Sequence, residues 1–90
     1  MTERRHIRIR GHVQGVFFRD STRKTAQQAG ATGWVANRPD GSVEVEVQGS
    51  CDAVGAVEEF CRTGPPRATV TGVEVSSVDP VEDEAGFTVR

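Results

Sequence analysis

Residues 13–19 combine features of an anion-binding loop with a cation that could close it. The segment Val-Gln-Gly-Val-Phe-Phe-Arg leaves a predicted strand and enters a predicted helix, and Gly15 lets its backbone curl. Backbone N–H groups at a helix start have no internal acceptors, and their partial positive charge attracts anions. Arg19 falls in the first helical turn, where a cation opposes the helix dipole at a cost of about 0.3–1 kcal/mol. An anion held by the amides and Arg19 would remove that conflict; the alternative is an arginine that extends into solvent.

Asn37 is the second polar residue whose position suggests chemistry. Its carboxamide can accept a hydrogen bond from a water or donate one to it, but it cannot take a proton at neutral pH. The alternative is a turn-forming asparagine bonded to its own backbone, since Pro39-Asp40-Gly41 follows it. Asp40 is assigned to that turn.

The elements that must position these residues follow from the hydrophobic pattern, which changes between period two and period 3.6. It predicts strands at about 6–13, 34–37, 43–48, 71–75 and 86–90, and helices over 18–29, capped by Gly30, and from about 50 to 64. Fourteen valines and no leucine also favour a sheet. Two right-handed crossovers in the order β-α-β-β-α-β build an α+β, ferredoxin-like plait, an antiparallel-rich sheet with two helices on one face.

The alternation along the central strands separates two faces of this sheet. Ile7, Ile9 and the valines at 43, 45 and 47 are expected to face the helices. Arg8 and Arg10 are expected on the open face, paired with Glu44 and Glu46, an arrangement that needs no ligand.

Two long motifs resemble the signatures of the acylphosphatase family. Residues 9–19, Ile-Arg-Gly-His-Val-Gln-Gly-Val-Phe-Phe-Arg, resemble the first signature, and residues 33–43, followed by Gly49, resemble the second. Both match without a gap, and the likeness extends to Gly64-Pro65-Pro66 and to residues 87–90, so it covers essentially the whole chain. The resemblance implies a ferredoxin-like fold and the hydrolysis of carboxyl-phosphate anhydrides without a metal or other cofactor.

The resemblance also implies a role for each matching residue. Arg19 would bind the phosphate together with the rest of a phosphate-binding loop formed by Gln14, Gly15, Val16, Phe17 and Phe18. Asn37 would hold the attacking water, and a phosphate oxygen of the substrate would accept its proton. The expected partners are therefore a small-molecule acyl phosphate and inorganic phosphate as the product.

Two other functions fit parts of the pattern. A domain of the hydrogenase-maturation type would keep Arg19 and Asn37 but use carbamoyl phosphate, whereas the short chain favours a free-standing enzyme. An RNA-binding plait would stack bases on aromatic residues of the two central strands, but Arg8, Arg10, His12, Glu44, Glu46 and Gln48 occupy those positions.

Charge and composition limit the partners further. The formal net charge of −2 gives no overall attraction to nucleic acid or to an anionic membrane, and there is no apolar run of membrane-spanning length or of signal-peptide type. A cytoplasmic monomer is expected.

The remaining candidates are assigned structural roles. Cys51 and Cys61 lack metal or redox spacing and are predicted to be free thiols in packing roles. His12 is expected in solvent or against a glutamate, and the acidic run 82–84 in a solvated loop. Phe17 and Trp34 are expected to anchor the core or a loop, with contact to the acyl group as the alternative.

Overall fold

In the computed structural model, which describes residues 2–90, two helices pack on one face of a five-stranded sheet. The elements are β1 (Glu3–His12), α1 (Phe18–Ala29), β2 (Thr32–Asn37), β3 (Val43–Gly49), α2 (Cys51–Thr63), β4 (Thr69–Ser77) and β5 (Phe87–Val89). The strand order is β4-β1-β3-β2-β5, with only the β2–β5 pair parallel. The predicted ferredoxin-like arrangement is confirmed. Met1, the first residue of the predicted domain, lies outside the described residues.

The bounds of α1 agree with the prediction because its start and stop signals are local. Gly30 adopts a φ of 78° and its N–H donates to the Gln27 oxygen at 3.2 Å, which ends the helix. At the start of α2 the Ser50 hydroxyl accepts from the Ala53 N–H at 3.1 Å. The first helix has no such side-chain cap.

The core lies between the helices and the inner face of the sheet. Ile7, Ile9, Val43, Val45 and Val47 are all 0% exposed, as the alternation predicts. Side chains of α1 and α2, led by Phe18, Val54 and Val57, cover them. These contacts hold the ends of β1 and β2 in place, and both candidate segments begin or end there.

A bulge changes the face that β4 presents to the core. Pairing between β1 and β4 shifts between Arg10 and Gly11, so that Gly11 lies opposite Val70. A Cβ on Gly11 would lie 2.1 Å from the Thr69 carbonyl oxygen, so only glycine allows this close approach. As a result Val70 and Val73 contact the core, whereas Thr71 is exposed.

On the open face, the predicted pairing is wrong for Arg10 and Glu46. Arg10 Nε donates to Glu74 of β4 at 2.9 Å, and Glu46 accepts from Arg4 Nε at 2.7 Å. Arg8 does lie near Glu44, at 3.9 Å. The difference arises because β1 has β4 as its second neighbour, which supplies a carboxylate on the side away from β3.

A buried arginine also corrects the predictions for β1 and for the acidic run. Arg4 is only 3% exposed, because the chain after β4 folds over it and Glu84 accepts from its guanidinium at 2.8 and 3.2 Å. Strand β1 begins at Glu3, three residues before the predicted start, because Glu3 and Arg4 pair with Gly49 and Gln48 of β3. Glu84 belongs to an ion pair and not to a solvated loop, while Glu82 and Asp83 are exposed as expected.

The cysteines and Trp34 agree only in part with their predicted packing roles. Cys61 is fully buried, but Cys51 is exposed; both are free. Trp34 lies outside the core, on the open face beside the Arg90 guanidinium, which is 4.6 Å from the ring centroid.

Within residues 2–90, no helix has the length and apolar character needed to cross a membrane.

We expect Val45→Ala to lower the free energy of unfolding by about 1–3 kcal/mol, because a fully buried side chain is lost and a cavity remains. Urea unfolding measures the change. Val75→Ala, on the 37% exposed Val75 of β4, is the matched control and should cost much less. Equal losses in the two variants would contradict the assignment of Val45 to the centre of the core.

Candidate active site

Both candidate segments line one cleft beside the start of α1. Its volume is about 500 Å³, and its walls come from the loop after β1, the first turns of α1, the end of β2 and the end of β5. The lining residues are Val13, Gly15, Phe17, Phe18, Arg19, Asp20, Arg23, Asn37 and Val89. The structure thus brings Arg19 and Asn37, the two predicted catalytic residues, to the same cavity.

The loop before α1 curls so that its N–H groups have no acceptors. Gly15 and Phe17 both have positive φ, 74° and 65°, and Phe17 is the N-cap residue. Ser21 is the first residue past the curl whose N–H finds a partner, the Phe17 oxygen at 3.0 Å. Among the described residues, the N–H groups of residues 15–20 have no acceptor. Unpaired N–H groups at the start of a helix carry partial positive charge and attract anions.

Arg19 is held in position by the end of β5. Its Nη1 donates to the main-chain oxygen of Arg90 at 3.0 Å. Arg90 is itself fixed, because its N–H donates to the Val35 oxygen of β2 at 2.8 Å and its guanidinium stacks on Trp34. One guanidinium nitrogen of Arg19 is thereby occupied while the others remain available to an anion.

Asn37 is the last residue of β2, where the alternation of the strand gives way to the turn. Its Oδ1 is buried and accepts no hydrogen bond within residues 2–90. A buried carboxamide oxygen without a partner is uncommon in folded proteins, and this oxygen is free to accept a hydrogen bond from a polar group in the cleft. The Asn37 side chain does not bond to the turn that follows it, which was the alternative. In that turn Asp40 Oδ1 accepts hydrogen bonds from the N–H and the hydroxyl of Ser42.

Gln14, a predicted member of the phosphate-binding loop, has a structural contact that the sequence does not reveal. Its Nε2 donates to the carbonyl oxygens of Arg38 and Ser42, at 2.7 and 3.0 Å. These two residues flank the turn between β2 and β3. The side chain therefore ties the loop that carries Arg19 to the hairpin that carries Asn37.

Asp20, a carboxylate that lines the cleft, is already paired. Asp20 accepts from Arg23 at 2.6 Å and lies 3.3 Å from the Lys24 ammonium. Hydrogen bonds from Arg23 and Lys24 hold the pKa of Asp20 below its ordinary value. An anion stabilised in this way is a weak base, so Asp20 is poorly suited to take a proton from water.

Two other candidates are separated from the cleft. His12 is exposed beyond it, and Trp34 lies on the open face of the sheet, so neither lines the cavity. Phe17, in contrast, does line it and is 70% exposed. Nowhere in residues 2–90 do three or more His, Cys, Asp or Glu side chains form a group that could hold a metal ion.

Comparison with known proteins identifies the family. The family model described as Acylphosphatase matches residues 5–89. An acylphosphatase of Anaeromyxobacter dehalogenans is 49% identical over 87 residues, which are 97% of this chain and 94% of the relative. Among solved structures, an acylphosphatase from Coxiella burnetii has a TM-score of 0.91 and 40% identity, with 99% of this chain and 93% of that chain covered.

A larger protein contains a similar fold. Full-length HypF, solved in a phosphate- and nucleotide-bound form, matches all of this chain at 27% identity with a TM-score of 0.90, but the match covers only 12% of HypF. Three findings agree. The family model covers residues 5–89, the relatives match along most of their own length, and the fold is the same. The chain belongs to the acylphosphatase family.

Proposed function

We propose that the cleft hydrolyses the carboxyl-phosphate bond of acyl phosphates, with the phosphoryl group held by the loop amides and Arg19 and the water oriented by Asn37. One observation supports this division of roles above all. Arg19 and Asn37 come from separate motifs, yet both line the cleft into which the curled loop of residues 14–19 opens. Family membership supports the activity itself.

The inventory of the cleft suits this substrate because an acyl phosphate is already activated. Its carboxylate leaves readily, so a protein needs chiefly to position the phosphoryl group and to stabilise the charge that develops on its oxygens. Fixed N–H dipoles and a guanidinium provide such stabilisation without reorganising during the reaction. The contact of Arg19 with the Arg90 oxygen supports a preset guanidinium.

Water attack requires a partner that orients the water on the phosphorus. The buried Oδ1 of Asn37, without a protein donor, is suited to accept one of its hydrogens. Gln14 supports the geometry, since it fixes the separation between the loop and the hairpin.

The proton is assigned to the substrate itself. Asp20 is weakened as a base by Arg23 and Lys24, and Asn37 cannot be protonated at neutral pH. A phosphoryl oxygen of the acyl phosphate is therefore the proposed acceptor, and the products are a carboxylate and inorganic phosphate. The proposed reaction involves the chain, its substrate and the attacking water.

Carbamoyl phosphate is the alternative substrate. The relative from Anaeromyxobacter dehalogenans, matched along 94% of its own length, is named an acylphosphatase, which supports acyl phosphates as the substrates. Two free thiols in the described chain fit the cytoplasm, which keeps cysteines reduced.

The activity is tested by phosphate release from acetyl, benzoyl and carbamoyl phosphate, each with and without EDTA. Release from the acyl phosphates that EDTA does not slow supports the proposal. Release from carbamoyl phosphate alone would favour the alternative, and a requirement for a metal would overturn the proposed mechanism.

We expect Arg19→Ala to weaken phosphate binding and to slow turnover together, because Arg19 contacts the phosphoryl group in both the ground state and the transition state. Loss of such a charge-assisted donor costs about 2.7–4 kcal/mol in the transition state. Kinetics measure turnover, and a phosphate titration followed by the amide NMR signals of residues 15–19 measures binding. Arg23→Ala is the matched control, since Arg23 lines the same cleft but is paired with Asp20. An equal loss in both variants would mean that overall charge, and not contact by Arg19, binds the phosphate.

Asn37→Ala should fail differently. We expect kcat to fall about 100-fold or more while phosphate still binds with near-normal affinity, because Asn37 contacts chiefly the water. Thermal melts check that the variant is folded. An active variant would show that another group orients the water, and an unfolded one would show that Asn37 is structural.

A further inference from the structure

Phe17 combines an unfavourable backbone with an unfavourable side-chain environment. Its φ of 65° and ψ of 23° place it in the left-handed region, which glycine enters without cost and which a bulky aromatic residue rarely occupies. Its side chain is 70% exposed, the largest exposure among the big apolar residues. Neither feature serves the core, since Phe17 is outside the buried cluster that its neighbour Phe18 joins.

The left-handed conformation by itself does not call for phenylalanine. The curled loop requires that conformation at the N-cap of α1, but glycine or asparagine would satisfy it more readily. The one other non-glycine residue with positive φ in the described chain is Asp83, in an exposed turn, where aspartate is well tolerated. An aromatic ring at this position thus needs an explanation other than the fold.

The Phe17 ring lines the same cleft as Arg19 and Asn37. The volume of that cleft, about 500 Å³, exceeds the needs of a phosphoryl group and leaves space for the group attached to it. Phe17, Val13, Phe18 and Val89 give the cleft apolar walls, and Phe17 and Val89 are exposed, at 70% and 41%. A group attached to a phosphate in this loop has the Phe17 ring and Val89 as its apolar neighbours.

Two of the polar side chains that line the cleft are bonded to each other and not free to contact that group. Asp20 and Arg23 are hydrogen-bonded to each other at 2.6 Å. Trp34, the other aromatic candidate, is on the far face of the sheet. Phe17 is therefore the aromatic side chain, among those of residues 2–90, that combines exposure with a place in the cleft.

We propose that Phe17 is a specificity-determining residue, whose ring binds the acyl group of the substrate and makes the enzyme prefer acyl phosphates with large apolar acyl groups. The proposal rests on the proposed function, because it takes the phosphate to be bound by the loop. An aromatic ring stacks on an aromatic or broad aliphatic acyl group and has little to bind on a methyl or amino group. The contact is remote from the reacting bond, so it should act mainly on KM.

The test compares kcat/KM for benzoyl and acetyl phosphate in the wild type and in Phe17→Gly. We expect the benzoyl-to-acetyl ratio to fall about tenfold in the variant, with most of the change in KM for benzoyl phosphate. Any general effect of the substitution on the phosphate loop acts on both substrates and cancels in the ratio. Phe17→Asn should give the same fall, since asparagine also tolerates positive φ. This second variant controls for the extra backbone flexibility that glycine introduces.

Asp83→Gly is the matched control, since it relieves the same backbone conformation far from the cleft and should leave the ratio unchanged. A ratio within twofold of the wild type in both Phe17 variants, or an equal loss with both substrates, overturns the proposal and leaves acyl phosphate hydrolysis standing. A wild-type protein that hydrolyses neither substrate overturns the proposed function instead.

Discussion

The N–H groups of residues 15–20 are the constraint on which the site depends, because they leave the hydrogen-bonding pattern of the fold unfinished. The N–H groups of residues 18–20 lie in the first turn of α1, where no intrahelical acceptor exists, and those of residues 15–17 lie in the curl; within residues 2–90 none of them has an acceptor. Such a segment is stable only on a rigid support. The fully buried side chains of β1 and the anchoring of Phe18 in the core provide that support.

The open face of the sheet contains a buried arginine whose charge is balanced by its neighbours. Arg4 is almost completely removed from water, yet Glu46, Gln48 and Glu84 satisfy its guanidinium. Burial raises the pKa of Glu84, but the hydrogen bonds from Arg4 and Thr32 and the charges of Arg4 and Arg90 outweigh it, so the pKa lies below its ordinary value. This network therefore stabilises the fold where Glu84 is ionised and loses strength as acid protonates it.

Most of the fold could be predicted from the sequence because its signals are local. The period of the valines, the cap at Gly30 and the turn at 39–41 each depend on a few neighbouring residues, and they located the helices to within a residue or two. The start of β1 could not be predicted, since it depends on the pairing of Glu3 and Arg4 with the far end of β3 and on Glu84, which reaches Arg4 from the other end of the sequence. The bulge at Gly11 is equally non-local, because it depends on the pairing with β4.

The candidate site likewise contains residues that local motifs predict and contacts that depend on the tertiary structure. Arg19 and Asn37 stand in motifs that can be recognised, whereas the bridge made by Gln14 and the contact of Arg19 with Arg90 require the register of the hairpin and of β5. The pattern also placed Phe17 with the anchoring aromatics, since exposure within a loop leaves no periodic signal.

The two cysteines make the molecule convenient to observe. Burial raises the pKa of the Cys61 thiol to about 12, so it is neutral and enclosed under ordinary conditions. Cys51, at the first turn of α2, is exposed, and no residue of α2 lines the cleft. Because thiol reagents attack accessible thiolates, a maleimide dye would attach at one position. The natural sequence thus offers single-site labelling for fluorescence or surface immobilisation, with the cleft left free.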